Sequence, residues 1–204
     1  MSLSYSSFIL SPPYIYYLSR RRRYTLENNI KENFYMKIIK ALGIYAAAEI
    51  FCLFIGLTLA GSSSPAMRVI CSICTVGILV VLLANFAVKE AHSDLKQERI
   101  SGEKASHAIT AVSGITLSLP AIISWVLLII SVSGGKFDFY RWYKLINAPF
   151  LQVCNLINAN ASSAALSMAQ VCIMLPMVFV PAVTYLAVYF LTYRGIIFSE
   201  KEKI

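Results

Sequence analysis

The polar stretch Lys89 to His107, KEAHSDLKQERISGEKASH, is flanked on both sides by apolar runs long enough to cross a bilayer. That alternation constrains the chain more than any other feature. A helix needs about 20 apolar residues to span the hydrocarbon core. Four runs meet this length: Ala41 to Ala60, Val69 to Val88, Ala108 to Ser131 and Val171 to Tyr193. The expected fold is therefore an all-α integral membrane protein, a four-helix transmembrane bundle. Composition agrees, because 58% hydrophobic residues and only 14% charged ones lie outside the soluble range of roughly 45 to 50% apolar. Residues 36–204 form a single membrane domain on this reading, with no room for a soluble catalytic domain.

The N-terminal stretch 1–35 differs from the rest. It is rich in Ser, Tyr and Pro, and its charge follows the apolar part as Arg20, Arg21, Arg22 and Arg23, the reverse order to a secretory signal. As a cytoplasmic basic tail, these four arginines would hold anionic lipid headgroups. Alternatively, translation starts at Met36, since Lys31-Glu32 can be encoded as a ribosome-binding sequence at a workable distance.

The connections are informative. Gly61, Ser62, Ser63, Ser64 and Pro65 make a tight turn that returns the second span beside the first. Lys89 to His107 reads as a solvated loop, with Ser101-Gly102 interrupting any surface helix. The third span contains Pro120 and ends at Gly134-Gly135, and the aromatic, cationic stretch KFDFYRWYK that follows suits a membrane interface. Leu145 to Ser167 carries Asn147, Gln152, Asn155, Asn158 and Asn160, too many amides for a lipid-facing span. It reads as an amphipathic or re-entrant segment between spans three and four.

The net charge of +8 is spread along the ends of apolar spans rather than gathered in an aromatic-interleaved patch. It argues for the excess of cations on cytoplasmic loops, not for nucleic-acid binding. With the N-terminus inside, fourteen of the lysines and arginines lie on inner segments and four outside, Arg68, Lys136, Arg141 and Lys144. Without the first 35 residues the ratio is nine to four. A multi-pass protein of a bacterial-type cell inner membrane with both termini cytoplasmic is expected.

Glu49 is the one carboxylate well inside a span. A charge at such depth costs a few kcal/mol on insertion scales and is usually functional or paired. Tyr45, Glu49, Cys52 and Gly56 share a helical face, which is expected to turn inward. Counting from the helix ends puts Thr75, Thr116, Ser118, Pro120, Pro181 and Thr184 at comparable depth. A proton, cation or amine site is one reading of this group; hydrogen-bonded glue between helices is the other.

Cys71 and Cys74 form C-x-x-C at the outer part of the second span. In such motifs a lowered thiolate pKa suits disulfide exchange. The arrangement resembles, in topology, the membrane quinone oxidoreductases that make disulfides, with four spans, both ends inside and C-x-x-C at the outer start of span two. The resemblance implies a quinone cofactor and a second redox pair before span four, where this chain has Cys154 and Cys172. It covers no extended sequence, and TVGIL after the motif lacks the basic residue of those enzymes. Buried cysteines are also ordinary packing residues.

His92 and His107 have no metal-ligand spacing, so no metal is expected, and no nucleophile or phosphate-binding motif occurs. The expected function is a small transport component or an accessory subunit of a membrane complex, without a cofactor, working as a homo-oligomer or with other membrane subunits in the lipid bilayer. A thiol-disulfide membrane oxidoreductase is the alternative.

Overall fold

The computed structural model describes residues 12–59, 64–102, 104 and 106–197, with backbone alone for 12–34, 59 and 65. Among these residues the fold is all-helical: α1 (Pro12–Leu59), α2 (Pro65–Ser101), α3 (His107–Val132), α4 (Tyr140–Ile146), α5 (Leu151–Ile157), α6 (Met168–Ile173) and α7 (Leu175–Tyr193), with 3₁₀ turns at Ala148–Phe150 and Ser163–Ala165. Four stretches are long and apolar enough to cross a membrane: Tyr35–Thr58, Ala66–Ser101, His107–Val132 and Met168–Tyr193. The chain divides into two units, Met1–Ile38 and Ile39–Ile204. Arg20 to Arg23 fall on the helical backbone of α1, and their side chains lie outside the described residues.

The second helix overturns one expectation. Lys89 to Ser101 is not a loop but the C-terminal part of α2. Ser101-Gly102 is the stop signal, not an interruption: Gly102 adopts φ +70° and its N–H caps the Glu98 carbonyl, the left-handed ending that glycine makes cheap. The charged stretch stays helical because one of its faces has a partner. Asp94 Oδ2 accepts the Tyr189 hydroxyl at 2.7 Å and Glu98 Oε2 accepts that of Tyr193 at 2.6 Å. These acids and tyrosines repeat every fourth residue on α2 and α7, so each helix presents one straight stripe to the other. Phe86 continues the seam by stacking on Tyr185, and the exposed His107 ring meets Tyr193 edge-on at 5.0 Å.

Helix α7 lies against both α2 and α3. Its entry is set by a capping box in which Ser167 and Gln170 satisfy each other's free N–H groups at the start of α6. Pro176 cannot donate to the preceding turn, and the helix breaks at Met174. Trp125 of α3 uses the break: its indole N–H donates to the Val171 carbonyl at 3.0 Å. Pro181 lies inside unbroken α7, and beside it the Ala182 N–H reaches Ser118 Oγ on α3 at 3.3 Å. Gly114 allows close approach here, since a Cβ on it would stand 2.6 Å from Leu186.

The outward faces carry Ile50, Phe54, Ile73, Val81, Ile123 and Val183, all well exposed. Contiguous apolar surface of this extent does not suit water.

Candidate functional site

Between α3 and α6 the chain enters the bundle and returns. Helix α4 runs down beside α3, the turn Ala148–Phe150 forms the tip, and α5 climbs back against α2. It is not one long helix, and it packs into the bundle rather than lying apart from it. Tyr140, Tyr143 and Lys144 face inward, whereas Arg141 and Trp142 face outward. Of the stretch expected at an interface, Lys136, Phe137, Asp138, Arg141 and Trp142 are exposed, while Tyr140, Tyr143 and Lys144 are not.

Three polar contacts hold the tip. Glu49 Oε2 on α1 accepts the Ala148 N–H at 2.9 Å. The Thr75 hydroxyl on α2 lies 2.8 Å from the Pro149 carbonyl, its shortest acceptor, with its own helix's Cys71 carbonyl at 3.0 Å. Asn147 Nδ2 donates to Ser124 Oγ on α3 at 2.9 Å. The first two are local consequences of the break around Pro149, which leaves backbone groups without helical partners, and the third ties the Asn147 side chain to α3. Glu49 stands ten residues from Leu59, and Thr75 ten from Pro65. At 1.5 Å per residue the tip therefore sits about 15 Å inside the bundle.

Around the carboxyl group the packing is close. Cys52, one turn on, is fully buried and its thiol donates to the Thr75 carbonyl at 3.3 Å. Gly56 is buried where a Cβ would meet Leu151 at 3.1 Å. Glu49 Oε1 is buried and has no well-formed hydrogen bond, although Tyr45, one turn earlier, interacts with the same carboxyl group. Thus a mid-bundle acid uses one oxygen to cap a broken backbone, and its carboxyl group also meets Tyr45.

No family model, curated protein or solved structure matches this chain.

Of the residues singled out in the sequence, Tyr45, Glu49, Cys52 and Gly56 do share the inward face of α1, and Thr75 joins them through the hairpin tip. Thr116 does not: its hydroxyl turns back onto Val112 of its own helix at 2.8 Å. Thr184 is half-buried on α7, and Ser118 meets Ala182, next to buried Pro181, on the α3–α7 seam instead. Comparable distance from a helix end sets height, not which face a residue presents. The five cysteines are all free thiols. Cys71 is buried and Cys74 exposed, and the same contrast separates Cys154 from Cys172, so neither pair shares one environment.

Several residues that build the hairpin were not anticipated. Ser163 Oγ donates to Asp138 Oδ1 at 2.8 Å and accepts the N–H groups of Phe139 and Tyr140 at 3.1 and 3.0 Å, closing the mouth of the hairpin. The Ser163 backbone N–H, at 2.8 Å, and then its hydroxyl donate to the Asp138 carboxylate and hold it below its ordinary pKa. Lys144, only 6% exposed, donates Nζ to the carbonyls of Asn158 and Asn160 at 3.0 and 2.8 Å and lies 4.3 Å above the Tyr140 ring. One signal was available: Ser113, Leu117, Ala121, Ser124, Leu128 and Ser131 recur at spacings of three and four, and all are buried on α3.

Proposed function

We propose that this chain is a small, non-enzymatic component of a membrane transport assembly, in which Glu49 takes up a proton or small cation at mid-depth behind the hairpin. The observation that carries the reading is the Glu49 carboxyl group capping Ala148 at the tip of a proline-broken hairpin. Ionisable groups at such depth are expensive and mark ion and proton pathways. Discontinuous helices meeting near the midplane supply free carbonyl and N–H groups there.

The four apolar stretches support insertion in a bacterial-type inner membrane, and the distribution of lysine and arginine supports cytoplasmic termini. The hairpin is then a re-entrant segment from the outer side, reaching about half of a 30 Å hydrocarbon core. Four helices enclose little space of their own. A complete path accordingly requires further copies of the chain or other membrane subunits, for which the outward apolar faces provide contact surface.

The test is reconstitution of the purified chain in liposomes loaded with a pH-sensitive dye, with proton, Na⁺ and K⁺ gradients applied in turn. Flux above that of empty liposomes, abolished by Glu49→Gln and partly kept by Glu49→Asp, is expected. Equal flux in wild type and Glu49→Gln would remove Glu49 from the path. Liposomes no more permeable than empty ones, with the native chain purifying in a fixed ratio to another membrane protein, would favour an accessory subunit.

A further inference from the structure

Among the described residues no acidic side chain stands opposite the buried ammonium group of Lys144, and what surrounds it is two carbonyl oxygens and an aromatic face. Two backbone carbonyl oxygens, from Asn158 and Asn160, approach Nζ at 3.0 and 2.8 Å, and the Tyr140 ring covers a further side at 4.3 Å. Carbonyl oxygens in a ring replace the hydration shell of monovalent ions, and an aromatic face attracts the same ions electrostatically.

The cradle is built independently of the lysine. Helix α5 ends at Ile157, where Asn158 turns to an extended conformation. The side chain of Asn158 then ties the loop in two directions, Oδ1 accepting the Asn160 N–H at 2.9 Å and Nδ2 donating to the Ala165 carbonyl at 2.7 Å. The Tyr140 hydroxyl donates to the Asn158 carbonyl at 3.0 Å from the other side. The oxygens therefore stay in place, and would be left without a cation, if the ammonium were removed. The Asn158 carbonyl, on a half-buried residue, would keep the Tyr140 hydroxyl, whereas the Asn160 carbonyl, on an exposed residue, would lose the donor that Nζ supplies.

We propose that the carbonyl cradle of Asn158 and Asn160 is a monovalent-cation site whose resident occupant is the chain's own Lys144 ammonium, and that free K⁺ or NH₄⁺ fills it when the ammonium is withdrawn. Lys144 thereby acts as a tethered ion that joins α4 to the connection beyond α5 and holds the hairpin shut. This inference is independent of Glu49, and its test reads stability, not flux, so the two can fail separately.

The full chain in detergent is melted in choline chloride, LiCl, KCl and NH₄Cl at equal ionic strength. Wild type should give one Tm in all four. Lys144→Met keeps the apolar stem and removes the charge; its Tm should fall by about 5 °C in choline. K⁺ and NH₄⁺ should restore at least half of the loss, saturably, and Li⁺ much less. Adding Tyr140→Leu should weaken that restoration. Should the methionine variant not fold, Lys144→Gln, which retains one donor group, is compared in the same four salts. One Tm for the variant in every salt, or equal recovery in all of them, would overturn the proposal.

Discussion

Glu49 serves Ala148 as a hydrogen-bond acceptor and serves the proposed path as an acid, and two substitutions separate these tasks. Glu49→Gln keeps an acceptor oxygen for the Ala148 N–H, so its thermal stability in detergent should lie near wild type while its flux is lost. Glu49→Ala leaves a buried N–H unpaired and should cost about 1 to 3 kcal/mol. A glutamine variant as unstable as the alanine one would mean that charge, not acceptance, holds the tip. Asp138 gives a pH dependence with a definite sign. Its carboxyl titrates below the ordinary value of 3.8 because Ser163 donates to the ionised form. Folded and unfolded chains are therefore separated by a proton only on the acid side. The contribution of Asp138 is complete above about pH 3.8 and is lost as pH falls through the lower, folded value. Trp142 fluorescence followed through acid titration should show that loss, and Asp138→Asn should remove it.

The elements depend on packing that single residues control. Gly114→Val would push a branched side chain into Leu186 on α7. It should cost about 1 to 3 kcal/mol, as overpacking does, with the loss read from thermal unfolding. Tyr189→Phe removes the donor to buried Asp94, and hydrogen exchange should then rise across the C-terminal turns of α2 more than across α3. Uniform exchange would show that the tyrosine–carboxylate seam does not hold that segment. The limits of the third and fourth spans were legible because lipid-length apolar runs end at proline, glycine or charge, and the structure departs from them by at most three residues, whereas the first span begins six residues earlier than expected and the second runs thirteen residues further. The α2 extension was not legible. Its acids at Glu90, Asp94 and Glu98 have helical spacing in the sequence, but Asp94 and Glu98 bond tyrosines 95 residues away, a distance over which no local pattern reports. The inward face of α1 was read correctly from its period alone, whereas grouping Thr116 and Thr184 with Glu49 used height without azimuth.

At the scale of the molecule, the bundle and its hairpin form one arrangement: α1, α2 and α3 each give one polar group to the tip, so the hairpin depends on all three. The amides of Leu145 to Ser167 announced a segment unfit to face lipid, yet only the fold shows what surrounds them, a backbone broken at Pro149 whose groups are satisfied by Glu49 and Thr75, with the Asn147 side chain held by Ser124. The most direct test replaces the five native cysteines with alanine, introduces Glu49→Cys together with Ala148→Cys, and treats native membranes with a mild oxidant. The account predicts an intramolecular disulfide in the double variant, absent from either single variant, with position 148 shielded from a membrane-impermeant maleimide. No disulfide, together with ready maleimide labelling of position 148, would place the tip in water and contradict it.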